Sequence, residues 1–175
     1  MKLRLLISSI VVGLILTGCS NSTGTPATSQ TPTTAATTAV STGVEVQVDV
    51  TSDMAAEPVV TITPGDPAAE LITKDVVVGE GAAVPAGATV TAHYVGYGAG
   101  TSQMFDSSWQ RGEPATFPLS NVILGWQQGL VGMQVGGRRL LIIPAELGYG
   151  DSPPPGSGIE PGETLVFVVD LVSFQ

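Results

Sequence analysis

Three segments hold the residues whose types could do chemistry: Phe105-Asp106-Ser107-Ser108-Trp109, Val122-Ile123-Leu124-Gly125-Trp126 and Leu147-Gly148-Tyr149-Gly150. Each brings aromatic or aliphatic side chains, and the first adds one carboxylate. Such a set supports the capture of an apolar group in a water-poor pocket, oriented by a few polar atoms. One cysteine, Cys19, and one histidine, His93, exclude a disulfide framework, a Cys/His zinc site and Ser-His or Cys-His catalysis. The residue inventory calls for neither metal nor cofactor.

The elements that must position these side chains are mostly strands. Val59-Val60-Thr61-Ile62, Leu71-Ile72-Thr73, Val76-Val77-Val78, residues 89–95, 138–143 and 164–172 are β-rich runs punctuated by Gly and Pro. Only Val122, Trp126, Leu130 and Met133 follow a helical stripe, after the possible caps Ser120 and Asn121. Gly125, Gly129 and Gly132 weaken that helix by about 1 kcal/mol each relative to Ala, which implies close packing on a sheet. One short helix against several strands is an α+β arrangement.

Composition narrows the partners. The chain has 175 residues and a formal charge of −9, which grows more negative once Lys2 and Arg4 leave with a leader. Lys74, Arg111, Arg138 and Arg139 are then the only cations, too few for nucleic acid or a basic lipid-binding patch. The Arg138-Arg139 pair reads as a solvated strand end.

The first residues read as an export signal. Lys2 and Arg4 precede an apolar run, residues 5–16, too short to span a bilayer. The Leu16-Thr17-Gly18-Cys19 that follows resembles the bacterial lipobox, in which the cysteine is acylated and the peptide is cut before it. Residues 20–43 are rich in Ser, Thr, Pro and Ala, carry no charge and read as a flexible tether with a root-mean-square span of about 25–30 Å. Val44, Val46, Val48 and Val50 alternate with polar residues, either as a half-buried strand or as the end of the tether.

The motifs occur in an order that resembles the FKBP family of peptidyl-prolyl cis/trans isomerases. The likeness runs over most of residues 68–175 through residues 90–96, Phe105-Asp106-Ser107-Ser108, Val122-Ile123-Leu124-Gly125-Trp126, Val135-Gly136-Gly137, Ile143-Pro144, Leu147-Gly148-Tyr149-Gly150, Ile159 and Thr164-Leu165-Val166-Phe167. It implies an antiparallel sheet of five or six strands curled around one short helix. With the lipobox and composition read above, the chain divides into a leader over 1–18, a lipidated Cys19 and tether over 19–43, an extension over 44–67 with an edge strand or none, and, by this resemblance, the isomerase domain over 68–175.

On this resemblance Tyr94, Phe105, Asp106, Tyr149 and Phe167 are the catalytic set, and Val122, Ile123, Trp126 and Ile159 bind substrate. Arg111 and the Tyr94 hydroxyl support Asp106, the Ile123 amide and the Tyr149 hydroxyl orient substrate carbonyls, and the substrate proline lies on the Trp126 indole. Five of the chain's nine aromatic residues fall in this set.

Ordinary core packing stays open for Phe167 and Trp126, and a surface turn for Asp106 and Arg111. His93 neighbours Tyr94 and points to the opposite face, in a structural role. Trp109 either contacts substrate or packs. Ala115 stands where many members carry an aromatic, which bears on the affinity for macrolide inhibitors.

The expected protein is thus a monomeric, lipid-anchored, extracytoplasmic isomerase acting on X-Pro bonds of exported proteins. Two alternatives stay open on the sequence. One is a holdase that grips proline-containing segments with little turnover; the other is an adhesion or sugar-binding domain that uses Trp109.

Overall fold

The computed structural model describes residues 46–175. The leader, Cys19, the tether and Val44 lie outside them.

The strands are β1 (Gln47–Val50), β2 (Val60–Thr63), β3 (Ile72–Val77), β4 (Thr89–Gly98), β5 (Met104–Ser107), β6 (Ala115–Pro118), β7 (Arg138–Ile143) and β8 (Leu165–Phe174). Two short α-helices, α1 (Ser108–Arg111) and α2 (Leu124–Gly129), and two 3₁₀ turns, Leu119–Asn121 and Ala145–Leu147, complete the described residues. β1 and β2 pair antiparallel in a two-stranded sheet of their own. The other six strands form one antiparallel sheet along the path β3-β7-β8-β4-β5, with β6 also paired to β4.

Pleat parity explains the packing. Val90, Ala92 and Tyr94 of β4, Leu141 and Ile143 of β7, and Leu165, Phe167, Val169 and Leu171 of β8 meet Trp126, Leu130 and Met133 in one core cluster. The alternate residues Val95, Leu140, Ile142, Val166 and Val168 form a second cluster with Val46, against which Val48, Val50, Val60 and Ile62 pack. β8 is therefore covered on both faces, which is why its sequence is a continuous apolar run rather than an alternation.

The expected sheet curled around a single helix is not what forms. The strand path is open, with β3 and β5 at its ends and unpaired with each other, and there are two α-helices. The physical reason lies in the layers. α2 covers one face and the β1–β2 hairpin the other, so both apolar faces are buried without the sheet wrapping on itself. One edge of the ten-residue β4 is divided between β6, along residues 89–92, and β5, along residues 95–97.

Helix α2 is shorter than its stripe. It starts at the Ile123 cap, with no side-chain bond from Ser120 or Asn121, which sit in the preceding 3₁₀ turn. It ends before Leu130 and Met133, and Gly132 takes φ +78°. Both residues are nonetheless buried, because the turn after the helix keeps them on the sheet. The helix glycines do what close packing requires: a Cβ on Gly129 would stand 2.7 Å from Leu141 Cδ2, and one on Gly125 would overlap Ile143.

The reading of Arg138-Arg139 as a solvated strand end is also corrected. Arg138 is fully buried, donates to both Asp170 oxygens at 2.5 and 2.6 Å, and donates to the carbonyls of Thr51 and Ala56 at 2.8 and 3.0 Å. Arg139 pairs with Asp75 and donates to the Gly129 carbonyl at the end of α2, at 2.9 Å. Strand position alone does not reveal a partner 32 residues away on β8, or carbonyls supplied by the residues after β1.

Candidate functional site

A cavity of about 300 Å³ opens between the sheet and the start of α2. β4 supplies Tyr94, β5 supplies Phe105 and Asp106, and β8 supplies Phe167. The turn into α2 supplies Val122 and Ile123, α2 itself supplies Trp126, and Tyr149 follows the second 3₁₀ turn at the rim. Gly96 lies opposite both Asp106 and Phe167 in register. A Cβ there would stand 2.8 Å from the Phe105 and Phe167 rings, so the absent side chain lets these two rings converge.

The floor is an aromatic box. The Trp126 ring meets those of Tyr94, Phe117 and Phe167 edge to face at 5.4, 5.7 and 5.3 Å, and Phe105 meets Phe167 the same way at 5.5 Å. These geometries suit the ring quadrupoles and fix the walls without filling the space between them.

Asp106 is the one carboxylate in the wall. Its Oδ2 accepts the Tyr94 hydroxyl at 2.5 Å and its Oδ1 accepts Arg111 Nη1 at 2.5 Å, while Arg111 Nη2 donates to the Tyr94 oxygen at 2.8 Å. Burial pushes the Asp106 carboxyl up, but the hydrogen bonds from Tyr94 and Arg111 and the guanidinium charge outweigh it and hold the group below the usual carboxylate range. Burial, reinforced by the Asp106 hydrogen bond and against the pull of Arg111, pushes the Tyr94 phenol up to about 12. Burial and then the Asp106 charge raise Tyr149 as well. Near neutral pH the site thus holds one anion, one cation and two protonated phenols.

Two donors in the lining have no partner among the described residues. One is the Ile123 N–H at the cap of α2, where the helix leaves its first amides free. The other is the buried Trp126 Nε1–H. No group of three or more His, Cys, Asp or Glu that could hold a metal ion occurs among the described residues.

Of the residues expected at the site, Tyr94, Phe105, Asp106, Val122, Ile123, Trp126, Tyr149 and Phe167 line this one cavity, and Arg111 stands behind Asp106. Ile159 does not line it and packs against the adjoining core cluster. Cys19 lies outside the described residues. Phe117 and Asn121 line the cavity and were not foreseen. Phe117 stands two residues from Ala115, which in a strand turns both to one face, but no pattern in the sequence marks that strand.

Trp109 is a packing residue. It stacks on His93 at 4.2 Å, its buried Nε1 has no partner, and it packs with the cluster on the far side of the sheet. The half-buried ring is thus taken up by contacts with His93 and this cluster, which speaks against a free sugar platform. His93 faces the same side, with Nδ1 3.1 Å from the Ser108 hydroxyl.

Comparison with known proteins agrees with this geometry. Residues 81–172 match the family of FKBP-type peptidyl-prolyl cis-trans isomerases. An FK506-binding protein of Streptomyces anulatus is 52% identical over 119 residues, which cover 67% of this chain and 96% of that protein. A probable FK506-binding protein of Corynebacterium glutamicum is 48% identical over 118 residues, covering 67% and 98%. The crystal structure of FkpA from Escherichia coli superimposes with a TM-score of 0.56 at 41% identity, over 60% of this chain and 48% of that one. An aromatic cavity floored by a helix tryptophan, walled by a paired carboxylate and carried on a sequence so closely shared with these relatives makes this chain a member of the FKBP-type family, a peptidyl-prolyl cis-trans isomerase acting on proline-containing polypeptides.

Proposed function

We propose that the isomerisation is carried by Tyr94, Phe105, Asp106, Tyr149 and Phe167, around a proline ring held on Trp126 between Val122 and Ile123. The observation that carries this reading is the aromatic box itself, open at the rim and rigid at the floor.

Rotation about an X-Pro amide faces a barrier of about 18–20 kcal/mol, because twisting breaks resonance. The planar amide is the more dipolar form, so a pocket walled by Phe105, Trp126 and Phe167 withdraws water from the ground state more than from the twisted state. The unpartnered Ile123 N–H and the protonated Tyr149 hydroxyl are available to orient the flanking carbonyls. A reduction of about 7 kcal/mol would raise the rate roughly 10⁵-fold. No bond is made or broken, so the chain needs no nucleophile.

The test is catalysed cis-to-trans relaxation of proline peptides by the wild-type chain and by Phe105→Ala and Asp106→Ala. Both variants are expected to fold and to lose at least tenfold in kcat/KM. Unchanged turnover in Phe105→Ala would remove the assignment.

The setting follows from the leader. Acylation of Cys19 after removal of residues 1–18 would tether the domain through 19–43 to the outer face of the cell membrane, where the enzyme acts as a monomer on exported proteins. Val46, the first described residue, packs in the cluster on the far side of the sheet from the cavity. Cys19→Ala is expected to release the protein from the membrane fraction, and retention there would overturn the anchor. A macrolide inhibitor would enter the same cavity, with Phe117 supplying the aromatic wall that Ala115 does not.

A further inference from the structure

We propose that Glu57, in the segment ahead of the family-matched residues 81–172, is a positioning residue for the isomerase pocket. The proposal rests on the roles given above to Asp106 and Arg111.

Ser107 follows Asp106 on β5 and caps the one-turn helix α1. Its buried Oγ accepts the Gln110 N–H at 3.3 Å and donates to Glu57 Oε1 at 2.8 Å. A serine hydroxyl has one proton and rotates to suit its neighbours. With Glu57 taking that proton, the lone pairs of Ser107 are left for Gln110. A single helical turn has almost no stability of its own, so its orientation depends on its ends. α1 is held by Ser107 at one end and by left-handed Gly112 at the other. Arg111, its last residue, is the group that reaches Asp106 and the Tyr94 hydroxyl.

Glu57 is itself held. The preceding carbonyl, of Ala56, and that of Thr51 accept from Arg138, whose guanidinium is buried and doubly bonded to Asp170. Pro58, next along, is buried. The path therefore runs from the Arg138–Asp170 pair through Glu57 to the Ser107 cap, and from α1 through Arg111 to the carboxylate in the pocket wall.

The experiment uses the full chain with Glu57→Ala, Glu57→Gln and Ser107→Ala, each alone and combined with Asp106→Ala. It reads kcat/KM for prolyl isomerisation together with thermal unfolding. Glu57→Ala and Ser107→Ala are each expected to lower kcat/KM about fivefold at temperatures where the protein is fully folded, and to have no further effect once Asp106 is alanine. Glu57→Gln, whose amide oxygen still accepts from Ser107, retains more than half of the activity.

If Asp106→Ala is impaired while Glu57→Ala keeps full activity, or is impaired equally in both backgrounds, Glu57 does not act through this path. Should Asp106→Ala itself be fully active, the reading of the site falls and this proposal falls with it. The Ser107 variant gives the same decision if Glu57→Ala does not fold.

Discussion

Asp106 keeps its charge among aromatic rings because the Tyr94 hydroxyl and Arg111 both donate to it. A carboxyl held below its unfolded value stabilises the folded state fully above the unfolded pKa, and that contribution is lost as pH falls through the lower folded value. The raised phenol of Tyr94 works in the opposite direction. Its contribution is complete below the ordinary tyrosine value and is lost only as pH rises through about 12. Activity is therefore expected to be flat from about pH 5 to 9 and to fall only below the ordinary carboxylate range. Initial rates across pH 3–9, with folding followed in parallel, check this, and a midpoint near pH 6 would contradict it. Most of this site was legible, since Phe105-Asp106, Trp126 and Tyr149 stand in short, specific motifs. Phe117 was not, because nothing marks Ala115–Pro118 as a strand except its pairing with β4. Arg138 was misread because its partner is distant in sequence.

Helix α2 delivers Trp126 only because two glycines let it lie against β7. Gly125→Ala gains about 1 kcal/mol of helix propensity and loses about 1–3 kcal/mol to overpacking against the fully buried Ile143. A net fall in thermal midpoint with a parallel drop in kcat/KM is expected, as the helix is pushed off the sheet and its tryptophan with it. A variant as stable and active as wild type would mean that Ile143 gives way freely. β4, β7 and β8 could be read from the sequence because apolar runs record burial. β5 could not: Met104-Phe105-Asp106-Ser107 mixes a pocket wall, a carboxylate and a cap, and function rather than burial sets its residue types. α2 was overextended because Leu130 and Met133 keep helical spacing after the helix has ended.

The molecule is larger than its family-matched part. A fragment starting at residue 81 would lack β1, β2 and β3, uncover Leu140, Ile142, Val166 and Val168, and take two carbonyl acceptors from Arg138. Such a fragment is expected to aggregate or to melt without a cooperative transition, whereas residues 44–175 melt cooperatively; thermal unfolding of the two decides. The layering explains why the sheet's form was not legible. Alternation shows that a strand has two faces, but not that a hairpin far upstream will cover the second one.

β8 pairs with β7 along one edge and with β4 along the other, and it comes after both in the chain. Until it arrives, β3 and β7 can form only one half of the sheet, and β4, β5 and β6 the other. A polypeptide emerging N-terminus first thus has no route to an early, partial core: neither half can bury its apolar face alone. While the sheet is in two halves the chain stays pliable, and the fold is completed by the last of the described strands.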